Sequence, residues 1–301
     1  MSQYSQFVKD LWDKKTEYQF FTDARTFASP DQLFYKTPEG KYVAYWVKGY
    51  KGKKTTLQSR NSLIGNFTEK WTRDLLSNFA QEHGLYAKQN VVCDEIGLYN
   101  MSPADVAFCK TDEVIQKPQN IELIIEVKMS VVWNWMLELN NDNEKLFCIG
   151  DFASHQGNPG LLRSDTMLKA IGKSINIRVS GFSSARIPIL ILGNTPITKS
   201  YKKKVDHLKK AGIIQGFWSI NPRPRKVDTL KTTDGKGFIR MDTYEELISH
   251  LEPLLHVDKE FFSGMKSKNQ LGRIIEIANK EKEYERKAEK FLQLIRGENN
   301  S

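Results

Sequence analysis

Histidine and cysteine are scarce in this chain, five and three among 301 residues. Cys93, Cys109 and Cys148 are odd in number, widely spaced and set in apolar surroundings. That argues against a disulfide framework or a zinc site and predicts buried free thiols. No apolar run approaches the ~20 residues of a membrane span. The start, Met1-Ser2-Gln3-Tyr4, lacks a basic region followed by a hydrophobic one, so a cytoplasmic protein is expected. Also missing are any internal repeat and any helicase or ATPase motif such as a P-loop.

What is present is an ordinary core-forming composition with an unbalanced charge. Hydrophobic residues make up 40% and charged residues 27% of the sequence, too apolar for a disordered chain and long enough for one large domain. Lysine and arginine number 45 against 36 acids, a formal charge of +9, which suits a polyanionic partner and makes nucleic acid the first candidate.

Along the chain, residues 1–61 read as an aromatic, basic accessory segment containing a strand at Lys41–Lys48. A glycine-punctuated basic loop follows that strand, and Lys51, Lys53, Lys54, Arg60 and Asn61 are its candidate donors to DNA phosphates or base edges. Residues 62–220 read as the core. Ile64, Phe67, Trp71, Leu75 and Phe79 recur at spacings of three and four and predict a helix over Ser62–His83, ended by Gly84. Strands are expected at Leu85–Cys93, Asp105–Lys110 and Ile121–Met129. Val131–Leu139 is apolar and tryptophan-rich, and Gly150–Arg163 is a polar loop. Ser164 is placed to cap a helix running to about Arg178. A buried strand at Arg186–Gly193, a basic helix near Ser200–Ala211 and a strand at Ile213–Ile220 then form a strand-helix-strand unit with parallel pairing. Residues 221–301 begin as a basic, turn-rich loop in which Arg223, Arg225 and Lys226 are further candidate DNA contacts. They continue as helices over Thr243–Leu255 and Lys268–Arg296. The whole reads as an α/β (α+β) fold in one compact domain, a mixed central β-sheet flanked by helices.

The chemistry gathers between Ser102 and Lys128. Asp105 opens one strand, and Glu126-Val127-Lys128 closes the next. Alternation along a strand puts Glu126 and Lys128 on one face and turns Val127 into packing. A hairpin-like connection brings Asp105 beside Glu126. Two adjacent carboxylates repel unless a cation is shared between them, and magnesium, a hard ion held by one or two carboxylates plus waters and substrate phosphate, is the economical choice. An acid, any residue and a lysine also occur at Asp13/Lys15, Glu39/Lys41, Asp234/Lys236 and Glu285/Lys287. Those lie in polar segments, glycine turns or a charged helix. Only Glu126/Lys128 ends an apolar strand with an acid-led strand upstream.

This arrangement resembles the PD-(D/E)xK nuclease superfamily, whose core is a helix, three antiparallel strands, a helix and a further strand; the likeness covers roughly Ser62 to Ile220. The resemblance implies catalytic roles for Asp105, Glu126 and Lys128, and a Mg2+ ion (Mn2+ able to substitute) on Asp105, Glu126 and the Val127 carbonyl. An additional acid from the preceding helix would be Glu69. The usual Pro-Asp pair is drawn apart here as Pro103-Ala104-Asp105. The function implied is that of a type II restriction endonuclease, a Mg2+-dependent hydrolase of phosphodiester bonds in double-stranded DNA. Such an enzyme is expected as a homodimer with a DNA methyltransferase as genetic partner and no membrane association. The competing expectations are a DNA repair or recombination nuclease on the same core and a non-catalytic DNA-binding protein.

Overall fold

The computed structural model describes residues 10–53, 55–140, 143–256, 259–260 and 266–296. Helix α1 (Lys14–Arg25) starts at Asp13, whose carboxylate accepts the Thr16 N–H at 2.9 Å, and the short α2 (Pro30–Leu33) follows. Strand β1 (Tyr35–Lys36) pairs antiparallel with β2 (Tyr42–Val43). Only these two residues of the expected Lys41–Lys48 strand are strand.

Helix α3 (Gln58–Glu82) begins one turn earlier than its apolar periodicity predicts. Gly84, at φ +68°, supplies the left-handed residue that turns the chain after it. Strands β3 (Tyr86–Val91), β4 (Ala104–Cys109) and β5 (Ile121–Lys128) then run antiparallel, within a residue or two of the sequence expectation. Next come β6 (Asn134–Asn140) and β7 (Asn143–Gly150), an antiparallel pair that completes a second sheet in the order β1-β2-β6-β7. The remaining core elements are α4 (Ser164–Ser180), β8 (Ile189–Gly193), α5 (Lys202–Lys210), β9 (Gly216–Ser219), β10 (Phe238–Arg240) and α6 (Tyr244–His256). A small ribbon, β11 (Lys259–Glu260) with β12 (Lys266–Ser267), precedes α7 (Lys268–Asn279) and α8 (Tyr284–Arg296). Ser164 is the first residue of α4 rather than its cap; Arg163 stands at the cap position and makes no side-chain capping bond.

The central sheet has the order β10-β9-β8-β5-β4-β3. It is antiparallel from β3 to β5 and parallel from β5 through β8 and β9 to β10, so β5 is the strand at which the two halves meet. The molecule is therefore a mixed α/β fold, a central mixed sheet with helices on both faces. Alternation along β4 and β5 sends Val106, Phe108, Leu123, Ile125 and Val127 into one core with Leu75, Leu76 and Phe79 of α3. Ala107, Cys109, Ile121 and Ile124 face a second core with Met167, Ala170 and Ile177 of α4. Each fully buried Phe or Leu here contributes about 1.5–3 kcal/mol, which fixes the register, because a slip of one residue would exchange the two faces.

The N-terminal residues are not an outlying layer. Trp12, Phe20 and Phe21 belong to the same core as Val106 and Ile125, and the Trp12 amide donates to the Ile220 carbonyl at 2.9 Å. Glu17 of α1 is wholly buried, and its carboxylate accepts four N–H groups. Trp12 Nε1 (3.1 Å) and the Val132 amide (2.5 Å) meet one oxygen, and the Trp133 amide (3.2 Å) and Trp135 Nε1 (2.9 Å) meet the other. Burial outweighs those bonds and lifts the Glu17 pKa to about 7. Cys93, Cys109 and Cys148 are free thiols, the first two buried. No described helix is long and apolar enough to cross a membrane.

Candidate active site

The ladder that pairs Val106 with Ile125 puts Asp105 across from Glu126, at the end of β5 where β4 begins. Glu126 and Lys128 project from β5 toward α4, and Val127 projects the other way into the α3 core. The three residues named from the sequence thus converge on one face. Lys128 Nζ lies 2.8 Å from Asp105 Oδ2 and 3.2 Å from Glu126 Oε2, and it donates to the Val127 carbonyl at 3.1 Å. Asp105 Oδ2 also accepts the Val127 N–H at 2.8 Å, so the carboxylate stands in for a ladder partner at the strand end.

A fourth member comes from α4. Lys173 Nζ lies 3.2 Å from Asp105 Oδ1 and 2.7 Å from Glu126 Oε1, and it donates to the Pro103 carbonyl. Two ammonium groups therefore balance two carboxylates, with Glu126 completely buried and the other three side chains less than one-fifth exposed. Lys173 escapes a motif search because it is remote from the strands. A signal did exist: it lies between Ala170 and Ile177 on the buried stripe of α4, where an unpaired lysine is not tolerated.

The electrostatics follow from burial set against these pairs. Burial raises the Asp105 carboxyl, but Lys128, Lys173 and the hydrogen bonds from Lys128 and Val127 outweigh it, and the group ends below its ordinary range. Glu126 moves the other way, raised by burial and then by the Asp105 charge, only partly offset by the lysines. Burial alone would lower Lys128; the two carboxylates reverse this and hold it above an ordinary lysine. At neutral pH Lys128 is a cation.

Glu69 sits on α3, across the sheet from α4. It accepts a hydrogen bond from Gln89 Nε2 at 3.2 Å, and its pKa is raised by partial burial and then by the Asp105 charge. It is half-buried and within electrostatic reach of the cluster, not a plain solvent-exposed glutamate.

The donor set suits a hard divalent ion. Asp105, Glu126 and the Val127 carbonyl present oxygens only, and the one group among the described residues that meets the buried Glu126 Oε1 is the Lys173 ammonium at 2.7 Å. The Lys173 ammonium bridges the two carboxylates, as a shared cation would.

The residues named as DNA contacts divide. Lys51, Lys53, Asn61, Arg223 and Lys226 are exposed. Lys54 lies outside the described residues. Arg60 is not available to a duplex. It is 5% exposed, its guanidinium donates to the Leu33 and Ala44 carbonyls, and it lies 4.9 Å from the Tyr45 ring, turned inward from a first turn of α3 whose other residues are exposed. Arg225 is half-buried, 3.6 Å from Asp151 and over the Phe152 ring. His155, in the expected 150–163 loop, is buried and stacked on Tyr45 at 4.0 Å; desolvation lowers its pKa to about 4, and the neutral ring is a packing element.

A broad cleft of about 1790 Å3 runs between Asp10–Lys15, Ile149–Asp151 and Asn221–Thr229. It contains none of the acid–lysine cluster, and acids such as Asp13, Asp151 and Asp228 offset its lysines and arginines. Chemistry, not volume, locates the site at the end of β5. Compared with known proteins, the chain matches no family model, and no curated protein or solved structure is significantly similar to it.

Proposed function

We propose that the chain is a metal-dependent nuclease of the PD-(D/E)xK kind, acting on double-stranded DNA as a type II restriction endonuclease does. The observation that carries this reading is the convergence of Asp105, Glu126 and Lys128 at adjoining strand ends, within 2.8 and 3.2 Å of one another through the lysine. The order α3, β3, β4, β5, α4, β8 agrees with the core of that superfamily, and the excess of basic residues suits a polyanionic substrate.

Asp105, Glu126 and the Val127 carbonyl would hold Mg2+, which when bound polarises a phosphoryl oxygen and lowers the pKa of a coordinated water. Lys128, held as an ammonium by the two carboxylates, donates rather than accepts. It orients the attacking water and offsets the negative charge that develops on the phosphoryl oxygens. The Val127 N–H and Lys128 fix the Asp105 carboxylate before substrate arrives, and Lys173 fixes both acids from the helix side. Lys51, Lys53, Asn61, Arg223 and Lys226 are the exposed donors left to approach phosphates and base edges. A palindromic target would make the active form a two-fold homodimer cutting one strand per subunit, with a DNA methyltransferase as its genetic partner.

The test is digestion of phage DNA with the purified chain and Mg2+. Discrete fragments are expected, and Asp105→Asn or Lys128→Ala should slow cleavage by about 10²-fold or more. A smear or loss from DNA ends would replace restriction with a repair or recombination nuclease. Wild-type protein that binds DNA but never cuts would make it a non-catalytic binding module. Cleavage unchanged in both variants would place the chemistry elsewhere.

A further inference from the structure

The opposite end of α3 carries a second cluster that the nuclease reading does not use. His83 stands at the C-cap of α3, and Glu252 and His256 lie four residues apart on the last turns of α6. His83 Nε2 is 3.1 Å and His256 Nε2 2.8 Å from the same oxygen, Glu252 Oε1, and one ligand atom from each residue lies within 4.8 Å of the other two. Among the described residues this is the group of three or more His, Cys, Asp or Glu side chains that meets such a spacing. Helix rise alone puts it about 20 Å along α3 from Glu69, and so away from the acid–lysine cluster.

The hydrogen bonds set the His83 tautomer. Nδ1 faces the Phe79 carbonyl at 2.9 Å, an acceptor, so it is Nδ1 that carries a proton. Nε2 of the neutral ring then presents a lone pair to a carboxylate oxygen that is itself an acceptor. Two acceptors at 3.1 Å need a cation or an additional proton between them. An imidazole whose second nitrogen donates to a backbone carbonyl is also the arrangement that orients a metal ligand. A tetrahedral zinc with ligands at about 2.0–2.1 Å has donor–donor edges of about 3.3 Å, so the 3.1 Å edge to His83 needs little adjustment and the 2.8 Å edge to the exposed His256 must open by about 0.5 Å.

We propose that His83, Glu252 and His256 form a zinc site that pins the C-terminal end of α3 to α6. Two imidazoles and a carboxylate supply three ligands, and the partial exposure of Glu252 and His256 leaves the fourth position to water. The nitrogen-rich set favours zinc over magnesium, whereas the oxygen-only set at β5 has the reverse preference, so the two sites separate by chemistry. This inference is independent of the nuclease reading.

The experiment uses the full chain after treatment with EDTA, titrated with ZnCl2 with bound metal counted by equilibrium dialysis, and with CoCl2 followed by visible absorption. Wild type and Asp105→Asn should each take up one zinc per chain, give the intense bands of four-coordinate cobalt, and melt at a higher temperature with zinc than with EDTA. His83→Gln and His256→Gln should each weaken zinc binding by about tenfold or more and lose the zinc-dependent rise in melting temperature. His256 is largely exposed, so its variant keeps the fold and decides the matter should His83→Gln unfold. Absence of zinc uptake by wild type at micromolar metal would leave the trio as a protonated hydrogen-bond cluster and overturn the proposal. Uptake unaffected by the histidine variants, or abolished by Asp105→Asn, would overturn it equally.

Discussion

At the scale of single residues, the cluster at the end of β5 depends on matched charge. Lys128 and Lys173 together neutralise Asp105 and Glu126 in a region where Glu126 has no exposure at all. Removing one ammonium leaves a buried carboxylate short of a partner, a change that costs about 3–5 kcal/mol when nothing else moves. Lys128→Met is expected to lose that much stability at neutral pH. The sign of its pH dependence follows from the shifts. Asp105, held low in the native state, contributes stability above pH 3.8 that is lost as the pH falls through its native value. Glu126, held high, takes stability away as the pH rises from 4.5 through its native value. Without Lys128 the acid pair binds a proton more readily, so the variant should regain stability on acidification from pH 7 toward 5. Wild type should show less of this. Urea unfolding across that range checks it.

At the scale of elements, β5 and α3 were legible in the sequence, and the reasons differ. The apolar periodicity of α3 and the mostly apolar run of β5 are set by burial, which leaves its mark on residue type. Glu126 and Lys128 stood out as the charged pair at the end of that run, after Glu122 near its start. Lys173 did not, because its partners are supplied by another element. Arg60 was misplaced because a lysine-rich loop precedes it, and nothing in residue type shows that a guanidinium turns inward onto two carbonyls. The β6–β7 hairpin and β10 were also missed. β7 alternates exposed and half-buried residues without a strong apolar face, and β10 is a three-residue edge strand inside a glycine- and lysine-rich turn segment. Glu17 ties three segments of the chain together. Its bonds from Val132, Trp133 and Trp135 hold α1 against the connector that leaves β5 and the start of β6, and the fourth donor, Trp12, lies just ahead of α1. Glu17→Gln puts an amide NH2 where two of those donors point and should cost about 1–3 kcal/mol. Because the native pKa lies near 7 against 4.5 when unfolded, wild-type stability from this group is greatest below pH 4.5 and declines as the pH rises through 7. That decline should vanish in the variant, as read by chemical denaturation at pH 5, 6, 7 and 8.

At the scale of the whole molecule, the sequence carries a charge of +9 while the broad cleft among the described residues is nearly balanced, so on the proposed reading attraction to a duplex would rest on lysines and arginines outside that cleft. Duplex affinity should therefore fall steeply with salt. If about six phosphates are neutralised, roughly a 10³-fold loss is expected between 50 and 200 mM. Fluorescence anisotropy over that range measures the slope, and a flat response would remove the electrostatic support for a nucleic-acid substrate.

The bond from the Val132 amide to Glu17 joins residues 115 positions apart, and the Trp12 amide reaches further still, to Ile220. During synthesis the N-terminal helix can close early on Phe34 and on Phe67 of α3, but its partners around Val132, Trp135 and Ile220 follow only with β5, β6 and then β9. Contacts of such sequence separation form late and slowly. The end of β5, with Asp105, Glu126 and Lys128, is thus completed only when most of the chain exists. A growing or truncated polypeptide carries the three residues without the geometry that gives them their charge states.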